Sequence, residues 1–383
     1  MRSRLPAAAY IDEAWFARER ESLFRPLWQF AGLRTMLRKH NDFITRRICG
    51  IPVVIQNFEG QLRAFENLCL HRQNPLQTAA QGSRPLVCSY HAWGYDAEGA
   101  VANMPFEREL FRYPPKEREC LKLKRFALEM VGNLVFVNLS PEPIALRDQF
   151  SDEVLESLAQ VSEAFDDETI LTTFKLKCNW KLVYENLRDA HHPRFVHAQS
   201  IYKNVRFGVA MDEPAIAASK QLAETGCADR DDALRHLRAF SNGGLNEAME
   251  SMPEYGWHRN VQRFGDRDWY YNWLVYPNLH IASGSGGYSF IIEHHVPVSA
   301  GRTDLIVHYV TAKKRARYAT SAAVLYEHMQ GGARVLREDI KVMEDIQATL
   351  HADAPRACLG DFEYANAGIE RWYADVIDAN IRL

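Results

Sequence analysis

No apolar stretch of about 18 residues occurs anywhere in the chain, and the opening Met1 to Tyr10 lacks the apolar core of a secretory leader. The sequence therefore reads as cytoplasmic, with no membrane partner. Charge of one sign is also missing: 46 basic residues face 49 acidic ones, which excludes a basic nucleic-acid binder and an acidic tail. There is no internal repeat and no low-complexity tract. Cysteine is sparse and odd in number; seven thiols spread from Cys49 to Cys358 make no disulfide framework in 383 residues. Reduced thiols are the expectation, so any Cys and His cluster must be weighed as a metal site. The length itself allows two or three domains, each with its own core.

The first forty residues are amphipathic at helical spacing, with Trp15, Phe16, Leu23, Phe24, Leu27 and Trp28 between charges, and read as a helical arm docking on a larger domain. From Phe43 short β-rich runs (Ile51 to Ile55, Leu86 to Cys88, Leu134 to Val137) alternate with turns, which describes a small all-β unit ending near Pro141 to Pro143. A helical stretch, Leu146 to Phe165, precedes the polar-loaded segment Lys175 to His192. Residues 203–260 read as loops over a site. Three strand-like runs follow, Trp269 to Ala282, Tyr288 to Val298 and Asp304 to Ala312, with a turn at Ser283 to Gly287. Helical patterns at Ala322 to His328 and Arg334 to Leu350 close an α+β half.

Within the β unit stands Cys69-Leu70-His71 and, sixteen residues later, Cys88-Ser89-Tyr90-His91. Each residue alone has an ordinary explanation, since buried Cys packs as a small hydrophobe and His satisfies core hydrogen bonds. Together they offer two thiolates and two imidazoles. Zinc accepts that set, but structural zinc sites usually place both cysteines on one knuckle. One Cys and one His per loop suits a pair of irons instead, with both cysteines on one iron and both histidines on the other.

A second set lies in Asp189, His192 and His197. Pro193 interrupts the helix, so His197 is expected from the next, displaced turn. Two imidazoles need one carboxylate to complete the facial triad of non-haem Fe(II). Asp189 is one candidate. Asp339 is another, because it falls inside the apolar stripe Val335, Leu336, Ile340, Met343, Ile346, Leu350, where an ionised group needs a cation or donors. Glu338 beside it reads as solvated surface.

Cys69-x-His71-Arg72 with Cys88-x-x-His91-x-Trp93 resembles the Rieske motif of the oxygenase components of Rieske non-haem iron (ring-hydroxylating) oxygenases. Asn179-Trp180-Lys181, Glu185-Asn186, Asp189-x-x-His192-x-x-x-x-His197 and the later Glu338-Asp339 with Gln347 resemble their iron motif. One departure is Gln73, where those proteins commonly carry Gly. The resemblance implies an all-β Rieske [2Fe-2S] domain over 41–145, a helix-grip (START/SRPBCC-like) catalytic domain with an antiparallel sheet over 146–383, and the arm over 1–40. It implies Cys69, His71, Cys88 and His91 as cluster ligands and His192, His197 and Asp339 as ligands of a mononuclear Fe(II). Asp189 would bridge His91 of a neighbouring subunit to His192. His191 stands where many members have Tyr.

The implied activity is that of a terminal oxygenase: O2 and electrons from NAD(P)H, relayed by a reductase with or without a ferredoxin, hydroxylate or oxidatively demethylate a small aromatic or amine-bearing substrate. The implied assembly is a homotrimer, with or without a β subunit. The rivals are a Rieske-type electron-transfer protein and a zinc-stabilised ligand-binding protein. Trp269, Tyr270, Tyr271, Trp273 and Tyr276 crowd the sheet, but an aromatic stripe is more often core than substrate cage.

Overall fold

Phe43, Val54 and Phe65 stand on three neighbouring strands and share one apolar cluster, while Ile44, Val53 and Ala64, one residue out of step, share another. A two-residue period with both faces covered is what fixes strand register here. The computed structural model describes residues 2–189, 191–203, 205, 213–248, 254–283, 286–316, 321–377 and 381–383. These strands join a seven-stranded antiparallel sheet in the order Gln29–Leu33, Leu134–Asn138, Arg125–Val131, Gln61–Glu66, Ile51–Phe58, Asp42–Ile48, Gln81–Ser83. Gly94–Tyr95 and Val101–Asn103 form a separate two-stranded ladder.

This unit runs from Trp28 to Pro143. The expected arm over 1–40 is therefore too long: the opening helical run ends at Phe24, Gln29–Leu33 is a buried strand, and a short 3-10 turn, Arg34–Leu37, follows it. Five residues buried on both faces carry no alternation, so periodicity cannot tell them from a helix. Leu86 to Cys88 is likewise not a strand but a loop with one bridge, Val87 to Gly94.

The second unit combines Met1–Leu27 with Ile144–Leu383. Its antiparallel sheet has the order Phe165–Leu176, Arg302–Ala312, Ser289–Ser299, Leu279–Ser283, Trp269–Val275, Asn242–Ala248. The run expected from Trp269 to Ala282 is two strands, because Pro277 between them has no N–H to give the ladder. Phe165–Leu176 is a further strand, beyond those expected; only its first and last residues are buried, so its alternation is faint. The polar region 203–260 holds two helices, Glu213–Thr225 and Arg230–Ala239, and the edge strand rather than loops alone. Residues 204, 206–212 and 249–253 of it, and 284–285 of the expected turn, lie outside the described residues.

The two expected C-terminal helical pieces are one helix, Ser321–Thr349. It passes close over the sheet at Gly332, where a Cβ would come within 2.8 Å of Ile291 Cδ1 and Tyr309 Cε1. Strand alternation then sorts the aromatic stripe. Tyr271 and Trp273 face away from that helix and pack with Phe264, and the Trp273 indole donates to Ser157 Oγ at 2.8 Å. Tyr270 and Asn272, one residue out of step, share the face that the helix covers.

The helix Trp180–Arg188 lies antiparallel to the long helix, as three contacts record: Lys177 N donates to Glu344 Oε1 at 2.9 Å, Asn179 N to Gln347 Oε1 at 2.9 Å, and Asn186 Nδ2 reaches Asp339 Oδ1 at 3.5 Å. Behind them the N-terminal arm brings Glu19, which is fully buried and accepts from Lys181, Tyr373 and, at 2.9 Å, the Trp180 indole. The Lys181 ammonium also lies 5.1 Å from the Tyr10 ring centroid and 5.4 Å from that of Tyr373. Among the described residues no helix is long and apolar enough to cross a membrane.

Removing one partner of this buried pair strands the other. Glu19→Leu and Lys181→Met are each expected to destabilise the catalytic unit by about 3–5 kcal/mol, and the double variant to recover most of the loss. Denaturant melts in a double-mutant cycle check this; additive losses contradict it. Burial, only partly offset by the hydrogen bond from Tyr10, pushes the Glu185 carboxyl from 4.5 up to about 8. Its protonated form thus stabilises the fold fully below pH 4.5, and that contribution is lost as pH rises through 8. Thermal melts of Glu185→Gln should show the variant gaining a few degrees over the parent between pH 6 and 8.5.

Candidate metal centres

The two ligand loops of the β unit repeat one backbone device. Gln73 N donates to Cys69 O at 2.8 Å and Cys69 N to Asn74 O at 2.9 Å; Ala92 N donates to Cys88 O at 3.0 Å and Cys88 N to Trp93 O at 2.8 Å. Each loop closes on a left-handed residue, Gln73 at φ 57° and Ala92 at φ 56°. Gln73 therefore keeps the conformation that Gly adopts freely, at about 1 kcal/mol of strain. The first loop is tied to the sheet by Asn67, whose Oδ1 accepts from Leu76 N at 3.0 Å and Gln77 N at 2.9 Å.

Cys69 and Cys88 are buried in the apolar cluster, His71 is half-buried and His91 is exposed. The His71 and His91 rings lie 4.5 Å apart, and Trp93 stacks on His71 at 5.2 Å. Sulfur meets polar groups on both sides: Tyr95 OH is 3.2 Å from Cys69 Sγ, and Tyr90 N donates to Cys88 Sγ at 3.4 Å. Burial raises the Cys69 thiol; at Cys88 burial also acts upward, but hydrogen bonds from the backbone N–H groups of Tyr90 and His91, with those of the Cys69 and Asn74 side chains, together lower it. His71 Nδ1 is buried without a hydrogen-bond partner among the described residues. Such an atom is expensive unless a metal takes its lone pair. Buried thiols with hydrogen-bond donors, beside one half-buried and one exposed imidazole, fit a [2Fe-2S] centre.

The second set is built by a helix that ends early. Asn179 caps Trp180–Arg188 by accepting from Lys181 N at 3.0 Å, and Asp189 follows in extended conformation at φ −88°. The chain turns because Asp189 Oδ1 accepts from His191 N at 2.7 Å and His192 N at 3.2 Å. Asp189 and His192 are thus neighbours through a turn, not on one helical face. A short turn through His192–Arg194 then lets His197 N reach Pro193 O at 3.2 Å, so both imidazoles point the same way.

Asp339 meets them from the long helix. His197 Nε2 lies 3.0 Å and His192 Nε2 3.4 Å from the same oxygen, Asp339 Oδ1. Among the described residues this is the one group of three or more His, Cys, Asp or Glu whose ligand atoms all lie within 4.8 Å of one another. Cys69, His71, Cys88 and His91 are thus not gathered round one point, as a single zinc would require. Asp189 stands on the far side of His192, its Oδ2 3.7 Å from Nδ1. His191 faces Phe195 and Phe362 and takes no part in the group.

Burial would lower His192, but the carboxylates of Asp189 and Asp339 on either side of its ring push it up to about 9. Burial would raise Asp339, but the same two imidazoles hold it below the ordinary carboxylate range. Two imidazoles and one carboxylate, converging without a further His, Cys, Asp or Glu ligand among the described residues, fit Fe(II) with open coordination positions.

Three features were not foreseen. Glu338 is no solvated surface group: its Oε2 lies 2.7 Å from His197 Nδ1 and accepts from Ser200 Oγ at 2.6 Å. Asn186, in a motif singled out above, touches Asp339. On the sheet face under the long helix, Glu293 Oε2 lies 3.0 Å from His280 Nδ1 and 3.5 Å from His295 Nε2, and His280 Nε2 is 2.7 Å from Asn272 Oδ1. Burial alone would raise Glu293, yet the charges and hydrogen bonds of His280 and His295 hold it down to about 2. Burial, with the charges of Glu293 and Asp339, raises Tyr270. That tyrosine therefore lies within electrostatic range of both carboxylates.

The sequence matches two family models, the Rieske [2Fe-2S] domain over residues 28–114 and the ring hydroxylating alpha subunit (catalytic domain) over 156–379. The glycine betaine monooxygenase oxygenase subunit of Pseudomonas aeruginosa is 29% identical over 259 residues, 65% of this chain and 57% of that subunit. The large oxygenase component of the naphthalene 1,2-dioxygenase system from Pseudomonas aeruginosa is 33% identical over 198 residues, 50% of this chain and 43% of its own. This chain thus aligns with less than two thirds of the length of these relatives. The crystal structure of the quaternary ammonium Rieske monooxygenase CntA superposes with a TM-score of 0.74 at 18% identity, covering 98% of this chain and 95% of that one. With its catalytic region matched from 156 to 379, the chain belongs to the ring-hydroxylating alpha-subunit family, and it carries a Rieske [2Fe-2S] domain ahead of the catalytic one.

Proposed function

We propose that the protein is the terminal oxygenase of a multicomponent system, acting in the cytoplasm on a small polar, amine-bearing substrate. The observation that carries this reading is the convergence of His192, His197 and Asp339 in a chain that also holds the two Cys and His loops. Neither set explains the other's presence unless electrons pass from one to the other. Cys69, His71, Cys88 and His91 would hold a [2Fe-2S] cluster, and His192, His197 and Asp339 a mononuclear Fe(II). The iron supplies O2 activation when bound. In the overall reaction two electrons from NAD(P)H arrive singly through a reductase. One oxygen atom enters a substrate C–H bond and the other leaves as water; a hydroxylated N-methyl group then departs as formaldehyde.

The chain's own residues divide the work. His91 offers the exposed edge of the cluster set, and Asp189, whose side chain is 31% exposed, stands behind His192. A partner copy's cluster set facing Asp189 would complete the path and close a homotrimer; inter-subunit electron transfer is described for a quaternary ammonium Rieske monooxygenase. The buried His280, Glu293 and His295 and the partly buried Asn272 lie on the sheet face under the iron helix, where a hydrocarbon pocket would be apolar. Ionic groups there favour a charged substrate over an unsubstituted ring.

The test is anaerobic reconstitution with a surrogate reductase and NADH, followed by a screen of methylated amines and aromatic acids. Substrate-dependent O2 uptake with formaldehyde release is the expected result; no uptake with any of them, from protein loaded at both centres, contradicts the reading. Asp339→Ala should lose the mononuclear iron while keeping the visible spectrum of the cluster. Asp189→Ala should keep all the iron and lose turnover by roughly 10- to 100-fold or more. Normal turnover by that variant removes Asp189 from the path.

A further inference from the structure

His192 and His197 are held differently. Behind His192, Asp189 Oδ2 stands 3.7 Å from Nδ1, beyond hydrogen-bond distance, and its other oxygen is engaged by two backbone N–H groups. Behind His197, Glu338 Oε2 stands 2.7 Å from Nδ1 and also accepts from Ser200 Oγ at 2.6 Å. Resting on the assignment of His192, His197 and Asp339 to iron, we infer that Glu338 is a positioning residue: braced by Ser200, it fixes the ring and tautomer of His197 and makes that imidazole the anchored ligand.

The chemistry follows from donors and acceptors. An ionised carboxylate only accepts, so the neutral His197 ring must carry its proton on Nδ1. Nε2 is then left with its lone pair on the side of Asp339 Oδ1, 3.0 Å away. A charge-assisted hydrogen bond on the far nitrogen also raises the basicity of the ligating one. Because Glu338 and Asp339 are successive residues of one helix, a single backbone segment delivers both a ligand and the group that aims a second ligand. Any shift of that helix moves the two together.

A plain structural contact would tie residues 195–203 to the helix without affecting the metal, and metal affinity separates the two. Fe(II) is titrated anaerobically into full-length protein with an intact cluster, for the parent and for Glu338→Ala, Glu338→Gln, Ser200→Ala and Asp339→Ala. Glu338→Ala should weaken Fe(II) binding roughly 10- to 100-fold with the cluster spectrum unchanged, and Co(II) in the same site should show shifted visible bands. Glu338→Gln, whose amide oxygen still accepts from Nδ1–H, should recover most of the affinity. Ser200→Ala, which removes only the brace, should lose about threefold to tenfold, and it serves if Glu338→Ala does not fold. Parent-like Fe(II) affinity and Co(II) bands in Ser200→Ala and in both Glu338 variants overturn the proposal. Parent-like affinity in Asp339→Ala instead overturns the iron assignment beneath it, so the two failures are told apart.

Discussion

An ionised carboxylate on the covered side of a long helix sets the terms for the catalytic unit. Asp339 sits where its neighbours Leu336 and Met343 are core residues, and a charge there must be met by a cation or by donors. His192, His197 and Asn186 meet it, and each arrives because something else in the chain puts it there. Asn179 starts the ligand helix, Asp189 and Pro193 end it, and Glu344 and Gln347 tie its beginning to the far end of the Asp339 helix. The Glu19 and Lys181 pair, wrapped in aromatic rings, then holds the N-terminal arm against the back of the same helix.

The β unit solves the opposite problem. Its thiols are buried in an apolar cluster that supports the loops, whereas His71 is half-buried and His91 exposed. Burial disfavours charge on sulfur, so donors such as Tyr95 OH and Tyr90 N are needed around it. An asymmetric environment of this kind suits a centre that must hold an electron stably yet pass it outward from one side.

What could be read beforehand followed physical signal strength. The Cys and His loops stood out because four rare residues recur at ligand spacing; Asp339 stood out as a candidate because it breaks an apolar stripe, but preferring it to Asp189 took the family resemblance. Strand Gln29–Leu33 was not legible, since a fully buried run of five has no period, and Phe165–Leu176 blurred because few of its residues are deeply buried. Glu338 looked solvated because helical periodicity reports which face a residue is on, not which loop folds back over that face. The His280 and Glu293 pair was invisible for a related reason: strand register joins residues 13 apart, and nothing local in the sequence announces it. The aromatic stripe needed the sheet itself, whose alternation sends Tyr271 and Trp273 to the core and Tyr270 to the iron side.

The central claim is that one polypeptide holds two different iron centres. The most direct measurement is iron, zinc and acid-labile sulfide per chain, with Mössbauer spectra of oxidised and reduced protein isolated anaerobically. The account requires about three irons and about two sulfides, with one iron spectroscopically distinct from a valence-localised pair. Zinc in place of iron contradicts it, and so do two irons with no third when Fe(II) is supplied in excess.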